Sequence, residues 1–444
     1  MLKTFSILPA LTLCVTISST LCSALDNGLG LTPVLGYNTW NAFYGDINED
    51  LVKGMVDLLV SSGLKKAGYN YFVIDDAWSN INRDKDGRIS ANSQRFSSGM
   101  HSMSKYVHKH GLKFGMYSDA GEKTCLGYPG SRDHEETDAE AFADWGIDFL
   151  KYDNCWAPAS DWVIDRYTAM SRALNKTGRP IVYSMCDWGV GNPWLWAPKI
   201  ANSWRTTGDV GPSWESMLRC LDNTVGLSKF AGPGGFNDPD MLEVGNPGLT
   251  EQEQRAMFGL WAILKSPLVI GTDLRKLSKA ALKILTAEEV IAVNQDKMGV
   301  AGDLVAKEGP EEVYAGPLED GSRAVALFNR HTSGTQYPIS NITVYWESLG
   351  MDSDEEADVR DLFAEKNLGT FKGAWTGAVD LHDVRMVRIT PKDNRREHQE
   401  WRPWVQHGAL HAALRAVLPL SRAVPGRPDK LARAAQQPLE VTEQ

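Results

Sequence analysis

The chain has 444 residues, enough for two or three domains. Its apolar fraction of 43% is that of an ordinary globular protein, not of a disordered one. The formal net charge of −10 offers no basic footprint, so nucleic acid is set aside as a partner.

Residues 1–24 read as a secretory signal. Lys3 supplies the positive start, the stretch from Phe5 to Leu21 is apolar, and Cys22, Ser23 and Ala24 form a small-residue cleavage site. No later run is long and apolar enough to span a bilayer, so no membrane anchor is expected. The mature chain is expected to begin near Leu25, outside the cell. Cys14 and Cys22 leave with the signal, and Cys125, Cys155, Cys186 and Cys220 remain. An exported protein can form disulfides. Cys125 and Cys155 follow successive strand ends, so their loops could meet. Asn175 and Asn341 each open an Asn-X-Thr acceptor for glycosylation.

From Leu35 to about Asn294, apolar strand candidates alternate with amphipathic helical stretches. Strands are expected at 34–38, 71–76, 114–119, 147–153, 181–187, 203–209, 236–240 and 268–273. Helices are expected at 51–66, 103–110, 139–145, 162–174 and 276–285. Helix then strand, repeated, implies a parallel sheet with helices outside. Eight such units predict a (β/α)8 TIM barrel over 25–297, whose active site lies at the C-terminal strand ends. An open doubly wound sheet is the competitor, but no Gly-rich dinucleotide turn follows the first strand.

After 298 the rhythm changes. Short strand candidates at 313–315, 323–329, 342–346, 358–362 and 386–390 alternate with turns, which predicts an antiparallel β-sandwich over 298–392. Arg, Ala, Pro and Gln dominate 393–444, which reads as a disordered tail.

Most of the expected barrel strands finish in Asp. Asp76, Asp119, Asp153, Asp187, Asp209, Asp240 and Asp273 would then line one rim. Any one of them could simply cap the following helix; a whole ring of them, with flanking cations, suggests chemistry. Splitting a glycosidic bond takes two carboxyl groups. Asp153 follows Lys151 by two residues, so both share one strand face. A nearby ammonium favours the ionised carboxylate, which suits a nucleophile. Asp209 follows Gly208, whose backbone can turn the carboxyl into the mouth. As general acid it must hold a proton, which apolar walls and like charges can provide. Asp75 and Asp76 are expected to bend inward onto sugar hydroxyls, with Trp40 and Trp78 as an apolar platform.

Six stretches carry a resemblance. They are Leu35-Gly-Tyr-Asn-Thr-Trp-Asn41, Ile74-Asp-Asp-Ala-Trp78, Tyr117-Ser-Asp-Ala-Gly121, Leu150-Lys-Tyr-Asp-Asn-Cys155, Ser203-Trp-Arg-Thr-Thr-Gly-Asp209 and Ala231-Gly-Pro-Gly-Gly-Phe-Asn-Asp-Pro-Asp-Met241. Together and in order, they resemble glycoside hydrolase family 27, most of whose members are α-galactosidases. The resemblance covers roughly 25–392 and implies a barrel plus a C-terminal sandwich, with hydrolysis by retention. It implies Asp153 as nucleophile and Asp209 as acid/base. It also implies Asp75 and Asp76 at the galactose 4- and 6-hydroxyls with Lys151 nearby, and Arg205 and Asp187 at the 2-hydroxyl. Trp40, Tyr117, Asp240 and Met241 complete the implied pocket, and Cys125–Cys155 is the implied bridge beside it. Many members carry a second disulfide where Gly45 and Ala77 stand here.

Asp187 and Trp188 favour a plain 2-hydroxyl over an acetamide. Asp75 with Asp76 disfavours a pentopyranose lacking the 6-hydroxyl. The expected function is therefore a secreted retaining α-galactosidase acting on terminal α-galactosides, with no cofactor and no metal. The alternatives are an α-N-acetylgalactosaminidase, a β-L-arabinopyranosidase or a non-catalytic galactose-binding barrel. The calcium-loop likeness at 82–87 is discounted because Ser93 stands where the closing Glu belongs.

Overall fold

A computed structural model of the protein describes residues 25–392, apart from 26, 159–161, 333 and 335–337. The expected signal and tail lie outside the described residues.

Eight parallel strands form one curled sheet. They are β1 (Leu35–Asn38), β2 (Tyr71–Ile74), β3 (Lys113–Asp119), β4 (Phe149–Asp153), β5 (Val182–Met185), β6 (Ser203–Arg205), β7 (Phe236–Asp238) and β8 (Leu268–Ile270). β1 lies between β2 and β8, and the order runs onward to β7. The last gap closes just past β7, where Leu242 bridges Ile270 and its amide donates to the Val269 carbonyl at 2.8 Å. This is the (β/α)8 barrel that the alternation of elements implied.

The barrel interior is layered by the two-residue period of its strands. Val73, Gly115, Phe149 and Val182 are level partners along β2 to β5 and make an apolar plug. Gly115 belongs there because a Cβ would stand 2.8 Å from Val73 and 3.1 Å from Phe149. Two residues further up, Tyr117, Lys151, Ser184 and Ser203 are level partners. Above them Asp119 pairs with Asp153, and Arg205 with Asp238. The plug excludes water below, so the polar layers can face only the upper mouth.

The helices outside the sheet pack their apolar faces on it. The expected helix at 51–66 is two helices, Glu49–Ser61 and Leu64–Ala67, because Gly63 at φ 92° ends the first. The helix Glu251–Ile263 went unread. Most of its surface is buried, since it lies between the barrel and the second sheet system, so it lacks an amphipathic stripe.

Eight further strands build the C-terminal sandwich. They are β9 (Asp303–Glu308), β10 (Glu311–Pro317), β11 (Arg323–Asn329), β12 (Ile339–Tyr345), β13 (Glu356–Asp361), β14 (Lys366–Lys372), β15 (Ala374–Asp380) and β16 (Val384–Pro391). Six form one sheet in the order β14-β13-β16-β11-β10-β9, and β12 pairs with β15 opposite it. Trp346, Leu327, Val344 and Trp375 are among the residues filling the core between them. Strands β9, β14 and β15 were not expected. β14 has no buried residue, so no inward-outward alternation marks it. Gly259 lets the helix Glu251–Ile263 approach β16, since a Cβ there would stand 2.9 Å from Val384.

Candidate active site

The site is built from strand ends. β4 carries Lys151 and Asp153 inward on alternate positions, as their spacing required. Asp153 is 6% exposed. Its Oδ2 accepts from the Tyr117 hydroxyl at 2.9 Å, and its Oδ1 from the Asn154 amide at 3.0 Å. Burial pushes its carboxyl up, Lys151 pulls it back, and Asp209 and Asp75 push it up again. The expected effect of the ammonium is present, but desolvation outweighs it.

Asp75 and Asp76 are both buried, although they are chain neighbours. The strand ends at Ile74, so alternation no longer binds them. Asp75 accepts from Asn38 Nδ2 at 2.7 Å and from Lys151 Nζ at 2.9 Å. Asp76 accepts from the amides of Leu126 at 2.9 Å and Ala77 at 2.7 Å. Burial lifts the Asp76 carboxyl to about 6. Lys151 stays a cation despite its burial, because Asp75 and Asp153 face it.

Arg205, at the end of β6, is the hub of the opposite wall. It is 3% exposed. Nη2 meets Asp209 Oδ1 at 3.0 Å, Asp240 Oδ2 at 3.1 Å and the Thr207 carbonyl at 3.1 Å. Nη1 meets the Cys186 sulfur at 3.3 Å. Asp240 is held at φ 86° and also accepts from the amides of Val210 and Met241, each at 2.8 Å. Met241 is buried beside it, and Trp40 is half-buried at the start of a short helix after β1.

Cys125 and Cys155 are bonded to each other, with Cα atoms 5.1 Å apart. Asp119 lies against this bridge and accepts from the amides of Gly121 at 2.7 Å and Cys155 at 3.0 Å. The Asp119, Cys125 and Cys155 donor atoms lie within 4.8 Å of one another. With both sulfurs joined, no thiolate is left to ligate a metal.

Backbone strain concentrates at this face. Tyr44, Ala77, Trp156, Trp188 and Asp240 all have positive φ and all follow barrel strands. Such conformations persist only where surroundings over-determine them, and they cluster at functional sites.

Sequence and structure comparisons show which family the chain is similar to. Residues 32–296 match the family model described as alpha galactosidase A, and 308–389 match the alpha galactosidase C-terminal beta sandwich domain. The chain is 46% identical over 369 residues to an alpha-galactosidase of Oryza sativa subsp. japonica, covering 83% of this chain and 87% of that one. It is 45% identical to the Cyamopsis tetragonoloba alpha-galactosidase, covering 83% and 88%. The crystal structure of alpha-galactosidase I from Mortierella vinacea superposes with a TM-score of 0.78 at 36% identity, covering 82% of this chain and 98% of that one.

The chain belongs to the α-galactosidase family. It is a glycoside hydrolase.

Three expectations need correction. Asp187 does not line the mouth. It is fully enclosed, with no side chain bonded to its carboxyl and only the amides of Asp187 itself and Gly189 pulling on it from the backbone. Burial lifts its carboxyl to about 7, against the pull of Arg205 and Arg166. The residue that faces the mouth is Cys186, one position earlier and directly after β5, which went unread as a site residue. Its thiol is free and buried, and desolvation and Asp153 push it up while Arg205 and Lys151 oppose them. The signal was available: Cys186 shares the parity of Val182 and Ser184, both inward. Trp188, half-buried at φ 57°, has no hydrogen bond described.

Trp78 is no platform either. It is 2% exposed, donates from Nε1 to the Tyr117 carbonyl at 2.9 Å and packs edge-on against Phe142 and Trp145. Asp209 lacks the expected apolar walls. Its side chain is 68% exposed and ion-paired to Arg205.

Gly45 and Ala77 do face each other. A Cβ on Gly45 would stand 3.4 Å from that of Ala77, with the Leu126 side chain filling the remaining space.

Proposed function

We propose that the protein is a secreted, retaining exo-α-galactosidase working by double displacement. Asp153 attacks the anomeric carbon of a terminal α-galactosyl residue as its bond to the leaving oxygen breaks. Asp209 gives its proton to that oxygen. A water then gives a proton to Asp209 and attacks the anomeric carbon, freeing Asp153. The observation that carries this reading is an enclosed carboxylate, Asp153, bonded by the Tyr117 hydroxyl and pulled toward ionisation by Lys151, together with a second carboxylate, Asp209, held by Arg205 at the open mouth.

Asp75, Asp76 and Lys151 are assigned to the 4- and 6-hydroxyls. Arg205 is assigned to the 2-hydroxyl, with Cys186 replacing Asp187. Trp40, Tyr117, Trp188, Asp240 and Met241 complete the wall. The Saccharomyces cerevisiae relative, 32% identical with a TM-score of 0.77, is described with raffinose. A raffinose- or melibiose-type galactoside or a galactomannan side chain is accordingly the proposed substrate class. No metal or organic cofactor enters these steps.

Secretion rests on the leader at 1–24, and glycosylation at Asn175 and Asn341 on the exposure of both residues. Among the described residues, no helix is long and apolar enough to cross a membrane. The proposed division is 25–297 for the catalytic barrel and 298–392 for the sandwich.

The test is Asp153→Ala. Turnover of an aryl α-galactoside should vanish while galactose binding persists. Wild-type rates in that variant would refute the assignment, and an inverted first-formed galactose anomer would refute retention.

A further inference from the structure

A pocket that takes one sugar ring leaves the rest of the substrate outside it. The leaving group must therefore lie on the rim. Large apolar side chains are exposed there: Tyr44 after β1, Leu126 after β3, Trp156 after β4, and Val190 and Leu195 after β5. Water-facing indole is costly, and Trp156 is 62% exposed.

Trp156 is also firmly held. It stands three residues past Asp153 and directly follows Cys155, which is bonded to Cys125. Its backbone sits at φ 47°, an outlier for a bulky residue. The neighbouring loop fits tightly against it: a Cβ on Gly121 would lie 1.9 Å from the Cys155 carbonyl oxygen and 2.8 Å from the Trp156 carbonyl carbon. The Glu122 amide donates to the Trp156 carbonyl at 3.4 Å. Lys123 Nζ lies 5.4 Å from the ring centroid. A strained, cross-braced backbone that presents an indole to water is a feature of binding surfaces.

We propose that Trp156 is the platform for the leaving group, and that its occupant is a second sugar ring. The electron-rich indole face attracts the weakly positive C–H face of a pyranose. A rigid aromatic also loses little conformational entropy on binding. This inference rests on the function proposed above and names the subsite next to the scissile bond.

The test uses the full-length enzyme and two substrates. Melibiose has a sugar leaving group; α-galactosyl fluoride has none. In Trp156→Ala, KM for melibiose should rise about 3- to 10-fold. Turnover of the fluoride and inhibition by galactose should be unchanged, which also shows that the variant is folded. Trp156→Phe should recover most of the loss. Equal losses on both substrates, or no loss on melibiose, would overturn the proposal. A loss confined to octyl α-galactoside would overturn the sugar as occupant. Should the wild type cleave neither melibiose nor the fluoride, the reading of the pocket itself fails.

Discussion

The Tyr117 hydroxyl donates to Asp153 at 2.9 Å, while Lys151 Nζ lies 5.3 Å from the centroid of the same phenol ring. One aromatic side chain thus touches the proposed nucleophile with its edge and the cation beside it with its face. Burial, Asp153 and Asp119 all push the phenol up, so it stays a donor at every working pH.

Tyr117→Phe should therefore lower kcat/KM about 10- to 100-fold, the usual worth of a hydrogen bond to a charged group. Melting temperature should change little, since the ring remains. Unchanged kinetics would show that this bond does not tune Asp153.

Asp187 and Arg205 give a contrasting pair. Asp187→Asn replaces a buried acid by its neutral isostere away from the mouth, and kcat and KM should stay within about 3-fold of wild type. Arg205→Lys removes the planar fork that spans Cys186, Asp209 and Asp240, and kcat should fall at least about 100-fold. If Asp187→Asn loses activity as severely, the sequence-based role at the 2-hydroxyl is restored.

Stability should fall as pH rises from about 4 to about 7. The carboxyls of Asp76, Asp187 and Glu243 are lifted by burial to about 6, about 7 and about 7, from ordinary values of 3.8, 3.8 and 4.5. The folded chain therefore binds more protons than the unfolded chain in that window. The native state gains from acid there and loses the gain as each group ionises. Melting temperatures measured across the range should show the decline, and Asp187→Asn should flatten it. A rising curve would contradict these environments.

Gly45→Cys combined with Ala77→Cys should form a disulfide under oxidising conditions. The virtual Cβ separation of 3.4 Å is near the usual range of about 3.5–4.5 Å. Leu126 must give way, because its Cδ1 would lie 2.7 Å from the new Cβ. A melting temperature higher in the oxidised than in the reduced form is expected, detected alongside the loss of two free thiols. Persistent free thiols after oxidation would show that the loop after β1 sits further from Ala77.

Legibility varied with how many constraints acted on each residue. β4 was readable because one rule, alternation, governs Phe149, Lys151 and Asp153 together. The helix Glu251–Ile263 was not, because burial on nearly every side erases periodicity. β14 was not, because it buries nothing.

Residue order alone determined the barrel, the sandwich after it, the family, and the inward pairing of Lys151 with Asp153. These follow from periods of two and 3.6 and from motifs that need no knowledge of distant neighbours. Only the tertiary structure decided what happens beyond the last hydrogen-bonded strand residue. There Asp75 and Asp76 are each given their own partners, Asn38 and Lys151 for one and the Leu126 and Ala77 amides for the other, Asp187 is shut away, and Asp209 stands open on Arg205. The reason is physical: past a strand end, no ladder dictates side-chain direction. Charge, burial and loop contacts from other strands then choose it.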